Sequence, residues 1–150
     1  MFARALFAFL ALPGTIAFLI PLLIAPGGPK RYVQPAGLLP LLAGVVLLLW
    51  CVREFYVEGR GTLAPWSPPV HLVTSGPYRM SRNPMYVAVL LILCGWAVGF
   101  WSRPLLVYGI GVAIAFHLRV RLHEEPFLTR TQGPDWERYK ARVPRWLWRG

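Results

Sequence analysis

The sequence contains few of the residues from which disulfide frameworks and metal sites are built. It has only two cysteines, Cys51 and Cys94, and each lies within an apolar run, so an exported disulfide framework is excluded. Its three histidines show no metal-ligand spacing, and we therefore expect no metal site. No glycine fingerprint follows a strand, which argues against a Rossmann-type nucleotide-binding fold.

Acidic residues are also scarce, with 6 Asp and Glu against 16 Lys and Arg, giving a net charge of +10. Such an excess is compatible with nucleic-acid binding or with membrane topology, and the positions of the charges decide between them. The chain is 56% hydrophobic with a mean hydropathy of +0.49, well above a soluble domain of 150 residues. We therefore expect one integral membrane domain over residues 1–150.

Four apolar stretches are candidates for membrane-spanning helices. A span needs roughly 20 apolar residues, and residues 5–25 and 36–56 satisfy this. Residues 87–101 and 105–117 are shorter and lie only three residues apart, which predicts a tight hairpin. The expected fold is an all-α membrane protein of about four transmembrane helices, with the first stretch retained as a span rather than cleaved as a signal peptide.

The basic residues are distributed unequally about these four stretches. With four spans, both termini and the segment between spans two and three share one side. That side holds every basic residue except Lys30, Arg31 and Arg103. Because the more basic side of a membrane protein faces the cytoplasm, we expect both termini in the cytoplasm of a bacterial-type inner membrane. The charge is then explained by topology, and no nucleic-acid partner is expected.

The tail beyond about Arg119 interleaves charges with tryptophan and tyrosine. We predict a cytoplasmic helix over residues 134–142, because Pro134 suits a first helical turn and Asp135 and Glu137 suit its positive end. Pro144 would stop this helix. A basic, tryptophan-rich segment on the cytoplasmic face would lie against anionic membrane lipids.

The segment over residues 58–86 is too rich in proline and glycine for a long helix, and it predicts an irregular loop with fixed turns. Irregular backbone at a membrane surface exposes N–H and C=O groups that need partners. A polar ligand is one way to supply them, and an ordinary surface linker is the alternative.

Three ordered blocks resemble a known superfamily. Residues 72–79 (LVTSGPYR) and 82–86 (RNPMY) are similar to the signature of the isoprenylcysteine carboxyl methyltransferase and phospholipid methyltransferase superfamily. The pair Glu124–Glu125, with Gly133, Trp136, Tyr139 and residues 143–145, resembles its C-terminal block. Residues 59–62 and 64–65 resemble bacterial members, so the likeness covers about residues 59–145.

The resemblance implies an S-adenosylmethionine site on the cytoplasmic side, built by the loop, the hairpin helices and the glutamate pair. The residues implied to bind this cofactor are Val70, His71, Leu72, Val73, Tyr78, Asn83, Pro84, Met85, Tyr86, Glu124 and Glu125. A basic residue before the glutamates would contact the methyl acceptor, by spacing Arg121, with Arg119 as the alternative. Arg121 and Glu125 stand four apart and are expected to share a helical face.

The identity of the methyl acceptor determines whether the reaction needs a general base. A carboxylate of an isoprenylcysteine-like or other small lipophilic molecule needs no general base, whereas an amine or thiol must lose a proton, for which His71, His117 and His123 are candidates. Two other functions stay open at this point. One is N-methylation of a phospholipid amine, and the other is a non-catalytic four-helix protein that binds lipid or a partner.

Overall fold

The structure is a computed structural model that describes residues 10–25, 34–58 and 71–147, and these residues are helical with no strand among them. Helix α1 comprises the π-helix Leu10–Leu19 and the α-helix Ile20–Ile24 that continues it. Helices α2, α3, α4 and α5 are Leu38–Val57, Pro84–Gly99, Arg103–Arg119 and Glu125–Arg142. Two 3-10 turns, Pro35–Gly37 and Gly76–Arg79, and a π-turn, Val120–Glu124, complete the described structure. The expected all-α class is confirmed.

Two continuous helical stretches are long and apolar enough to cross a membrane, Pro35–Val57 and Arg103–Arg142. The apolar helices Pro13–Ile24 and Pro84–Gly99 are shorter. At 1.5 Å per residue α3 is about 24 Å long, less than the roughly 30 Å of a bilayer core. The chain therefore has the helices of a membrane protein, and the count of four spans stays a prediction.

Glycines bring α2 and α3 into close contact. A Cβ on Gly95 would lie 2.7 Å from the Leu41 nitrogen, and a Cβ on Gly44 would lie 2.7 Å from the Ala88 carbonyl oxygen. No side chain fits at either distance. Small residues at such contacts let helix backbones approach closely, which is how helices associate where lipid weakens the hydrophobic drive.

Helices α3 and α4 run antiparallel. The rings of Tyr86 and Phe116 are 4.3 Å apart at one end, and a Cβ on Gly109 would lie 3.7 Å from Leu93 midway along. At the other end only three residues separate the helices, where the Ser102 hydroxyl oxygen accepts a hydrogen bond from Leu105 N. We call the end that carries Val57, Pro84 and Arg119 the loop end, and the end that carries Gly99 and Arg103 the far end.

Large apolar side chains remain exposed along the outer surfaces of α2 and α4. Those on α2 recur at helical spacing, and α4 carries a similar set: Leu39, Leu42, Val46 and Leu49 on α2, and Val107, Ile110 and Ile114 on α4. A water-soluble protein rarely exposes contiguous apolar surface of this kind. We expect this exposed apolar surface of α2 and α4 to contact membrane lipid.

Proline and glycine shape the connection from α4 into the tail. Pro126 is the second residue after the π-turn, and this wider turn accommodates a residue that has no N–H and would crowd the preceding turn of an α-helix. Helix α5 bends at Gly133, where φ is +47°. Beyond the bend, the helix predicted over residues 134–142 is present, and it ends at Arg142 before Pro144.

Candidate functional site

The loop that enters α3 turns sharply at Gly76. Its φ of +53° favours glycine, and a Cβ there would lie 3.0 Å from both Trp50 Nε1 and Glu54 Cγ. The 3-10 turn that follows is therefore pressed against the last turns of α2. This contact places the loop at the loop end of the helices.

Glu54 of α2 and Glu58, the C-cap residue of that helix, hold this loop. Ser75 Oγ lies 2.7 Å from Glu54 Oε2 and 2.5 Å from Glu58 Oε2. The backbone nitrogens of Thr74 and Ser75 donate to Glu58 at 3.3 and 3.1 Å, and Trp50 Nε1 donates to Glu54 at 3.1 Å. Backbone donors of the irregular loop are thus satisfied by protein carboxylates, the requirement expected for such a loop beside a membrane.

Tyr78 and Val73 point inward from the loop and pack with Cys51 of α2. The Tyr78 ring centroid lies 5.5 Å from that of Phe55, and burial raises the pKa of Tyr78 well above its usual value. The Tyr139 hydroxyl donates to the Tyr78 carbonyl oxygen at 2.7 Å. Tyr78 therefore joins α2, the loop and α5.

Glu125 is at the centre of a buried ion-pair cluster with two arginines. Arg145 donates to its carboxylate through Nε at 2.8 Å and Nη2 at 2.7 Å, and Arg82 Nη1 donates at 2.8 Å. The Glu125 side chain is only 12% exposed. Hydrogen bonding to Glu125 raises the pKa of Arg145. Both oxygens of Glu125 already have cationic partners, and this cluster is hereafter the Glu125 node.

Arg121 and Glu125, which are four residues apart, do not form an ion pair in the structure. Arg121 is exposed and makes no ion pair within the described residues, while Glu124 pairs with Arg119, whose Nε lies 2.9 Å from Oε1. The π-turn is the reason, because its i to i+5 hydrogen bonding shifts the side-chain register by one residue. Partners five residues apart therefore meet where spacing of four was expected.

Glu124 forms a second carboxylate cluster at the loop end. Its Oε1 accepts hydrogen bonds from the Tyr86 hydroxyl and from Arg119. Its side chain is 32% exposed, and within the described residues no donor reaches Oε2. The Tyr86 ring packs on Phe116 beside it. A partly open carboxylate next to aromatic rings can accept a cationic group.

Asn83, Pro84 and Met85 form the entry to α3. Pro84 is in its first turn, where a missing N–H costs nothing. Asn83 Nδ2 donates to the Arg145 carbonyl oxygen at 2.9 Å, and Met85 packs against the Val73 and Tyr78 cluster. These residues fix the helix start and fasten the C-terminal segment to it.

The other predicted residues are placed as follows. Val70 lies outside the described residues, His71 is exposed, and Leu72 packs against Trp136 and Tyr139. His123 is exposed, and His117 Nδ1 accepts a hydrogen bond from Trp146 Nε1 at 3.4 Å. Among the residues that the structure describes, no group of three or more His, Cys, Asp or Glu could hold a metal ion.

A family profile matches the part of the chain that carries both Glu124 and Glu125. The profile describes phospholipid methyltransferases and matches residues 33–134. The chain belongs to the phospholipid methyltransferase family. That family is part of the isoprenylcysteine carboxyl methyltransferase-like superfamily, so the resemblance read from the sequence blocks is confirmed.

Two curated proteins are similar to this phospholipid methyltransferase family member. One is the cobalt-zinc-cadmium resistance protein CzcN of Cupriavidus metallidurans, 34% identical over 72% of the chain and 45% of the relative. The other is the nickel-cobalt-cadmium resistance protein NccN of Alcaligenes xylosoxydans xylosoxydans, 30% identical over 72% of the chain and 46% of the relative. The chain thus spans slightly less than half the length of these relatives. No solved structure matches.

Several residues of this family member were not singled out from its sequence. Arg82 and Arg145 stood within the quoted blocks, in separate segments, and only the fold brings them to one carboxylate. Glu54 and Glu58 gave a weak signal, as acidic residues at the end of an apolar span where charge is costly. Phe116 was indistinguishable from any other apolar helix residue.

The two glutamates are expected to differ in their effect on stability. Glu125→Gln leaves the buried Arg82 short of a counter-charge and should lower the free energy of unfolding by about 3 kcal/mol. Glu124→Gln removes a partly exposed pair and should cost less than about 1 kcal/mol. Unfolding of both variants in one neutral detergent measures the difference, and equal losses would contradict the assignment of the buried node to Glu125.

Proposed function

We propose that the protein is an S-adenosylmethionine-dependent methyltransferase that acts on a lipophilic acceptor entering from the bilayer at the cytoplasmic face. The observation that carries the proposal is the Glu124 cluster, a partly open carboxylate between Tyr86 and Arg119 within a phospholipid methyltransferase domain. This cluster joins the start of α3, which the loop positions, to the π-turn after α4.

The chemistry of the cofactor fits this cluster. S-adenosylmethionine carries a sulfonium and an ammonium, and both favour a carboxylate and aromatic rings. Glu124 Oε2 would accept from the ammonium, while Tyr86 and Phe116 would lie near the cationic end. The loop residues from Val70 to Val73 would line the rest of the pocket.

The geometry also divides the roles of neighbouring residues. Because both oxygens of Glu125 are held by arginines, we assign the cofactor contact to Glu124 and treat Glu125 as a positioning residue. Arg119 contacts Glu124 directly. It is therefore a better candidate than Arg121 for contact with a carboxylate acceptor.

Methyl transfer to a carboxylate needs little beyond alignment and exclusion of water. With S-adenosylmethionine bound, an acceptor oxygen would attack the methyl carbon in line as the carbon–sulfur bond breaks, and the bonding pair would stay on sulfur. The products are a methyl ester and neutral S-adenosylhomocysteine sulfur, so no proton is transferred. The acceptor and sulfonium charges disappear together, which a low-dielectric site favours.

Cofactor binding tests the assignment of Glu124. In isothermal titration of purified protein with S-adenosylmethionine, Glu124→Gln should weaken binding at least about tenfold, the effect expected for one charge-assisted hydrogen bond. Glu137→Gln, an exposed glutamate paired with Lys140, is the matched control and should bind like the wild type. Absence of binding by the wild type, or unchanged binding by Glu124→Gln, would refute the proposal.

Phospholipid amine N-methylation is the second candidate, and the family match favours it. Membranes incubated with methyl-labelled cofactor distinguish the two acceptors. Base-labile label that is released as methanol indicates a methyl ester, whereas base-stable label that remains in lipid indicates an N-methyl amine. If label incorporation by the wild type does not exceed that by Glu124→Gln, both candidates fail.

For topology we propose four spans, with the loop end in the cytoplasm of a bacterial-type inner membrane. Arg79 and Arg103 are exposed arginines at opposite ends of the helices and form a matched pair. In a chain whose native cysteines are replaced, Arg103→Cys should react with an impermeant maleimide in intact spheroplasts, and Arg79→Cys only after permeabilisation. The reverse pattern would overturn the orientation, and labelling of both from outside would overturn the span count.

A further inference from the structure

Arg82 is a buried cation whose contacts lie entirely within the protein. Its side chain is 9% exposed, its Nη1 donates to Glu125, and its backbone nitrogen donates to the Pro144 carbonyl oxygen at 2.9 Å. The guanidinium carbon lies 5.6 Å from the ring centroid of Trp136. The loop, α5 and the C-terminal segment therefore meet at this side chain.

Two N–H donors in this neighbourhood have no acceptor among the described residues. They are Arg82 Nε and Trp136 Nε1, and both atoms are buried. Trp136 as a whole is only 2% exposed. Buried donors are nearly always paired, because an unpaired one loses its bond to water without replacement. Two unpaired donors on residues in contact with each other indicate an acceptor that the described residues do not provide.

The nearby acceptors are already occupied. The Tyr78 carbonyl oxygen accepts from Tyr139, and the Arg145 carbonyl oxygen accepts from Asn83 and Ser81. Both oxygens of Glu125 accept from arginines. Each of these acceptors therefore already receives at least one hydrogen bond from within the described residues.

The Glu125 node also has more positive than negative charge. Arg82 and Arg145 share the single carboxylate of Glu125, so the node carries one positive charge in excess. An uncompensated buried cation is costly. An anion with several oxygens would correct the charge and also accept from the two unpaired donors.

The geometry points to an oxyanion-binding site between Arg82 and Trp136, which takes a carboxylate or phosphate group through Arg82 Nε and Trp136 Nε1. The group would approach from the side of Arg145, whose side chain is 31% exposed. Two sources offer this chemistry, the carboxylate of the cofactor and the phosphate of a membrane phospholipid. The first source rests on the proposed function, and the second does not.

If the oxyanion is the carboxylate of the cofactor, Glu124 and Glu125 have different roles in binding the cofactor. The amino-acid end of S-adenosylmethionine carries an ammonium and a carboxylate on one carbon. Glu124 would receive the ammonium, and the arginine held by Glu125 would receive the carboxylate. Glu125 then acts through Arg82 rather than on the cofactor itself.

The test uses one substitution that removes a single N–H and one that replaces the whole guanidinium by an ammonium. Trp136→Phe removes the indole donor but keeps an aromatic ring under Arg82, and Arg82→Lys removes Nε but keeps the charge. Trp96→Phe is the matched control, because Trp96 Nε1 is also buried without an acceptor among the described residues but lies on α3 outside the node. Should Arg82→Lys fail to fold, Trp136→Phe alone decides the outcome.

Two ligand pairs distinguish the sources in the full-length protein. Titration compares S-adenosylhomocysteine with its decarboxylated analogue, and native mass spectrometry compares phosphatidic acid with diacylglycerol. In one of the two pairs, the wild type should bind the ligand that carries the oxyanion at least about tenfold more tightly than the ligand that lacks it. Trp136→Phe should lose most of that preference, and Trp96→Phe should keep it.

Each outcome has one meaning. A lost preference for S-adenosylhomocysteine identifies the cofactor carboxylate, and a lost preference for phosphatidic acid identifies the lipid phosphate. If the wild type shows neither preference, or Trp136→Phe retains them, there is no oxyanion site. If the wild type does not bind S-adenosylhomocysteine at all, the proposed function fails, and the lipid comparison alone decides whether the oxyanion site exists.

Discussion

The ion pairs of Glu125 with Arg82 and Arg145 join the parts of the chain on which the loop end depends. Arg82 belongs to the loop before α3, Glu125 to the first turn of α5, and Arg145 to the segment after it. Hydrogen bonds from Asn83 to the Arg145 carbonyl oxygen and from Tyr139 to the Tyr78 carbonyl oxygen join the same segments. Together with the hydrogen bonds from the loop to Glu54 and Glu58, this polar node supplies the directional contacts that fix where the loop sits.

Helix–helix packing and the polar contacts at the loop end have different structural roles. Close contacts at Gly44 and Gly95 set the distance between α2 and α3 along their length. Glu54 and Glu58 then hold the loop against the end of α2. The rigid helices thus provide a frame, and the buried carboxylates orient the irregular segment upon it, which is how a loop can present side chains at fixed positions.

The helices were predictable and the side-chain partnerships were not. Apolar runs indicate where helices lie, and Pro134 and Pro144 mark the ends of the last predicted helix, because these signals are local. The π-turn at Val120–Glu124 inserts a register shift that spacing rules do not detect, so the partner of Glu124 was missed. Arg82 and Glu125 are 43 residues apart, and no local pattern announces such a pair. The quoted blocks contain both Arg82 and Glu125, because family likeness carries long-range information that periodicity lacks.

The bend at Gly133 has a consequence for the order of assembly. It turns the second half of α5 so that Tyr139 reaches a carbonyl group 61 residues earlier in the chain. Helices α2 and α3 pack through contacts available as soon as both have been synthesised. The loop between them, by contrast, must wait for Glu125 to emerge from the ribosome before its arginine meets a counter-charge, and for Arg145 before the node is complete. We therefore expect the helical frame to form first and the polar junction to close last.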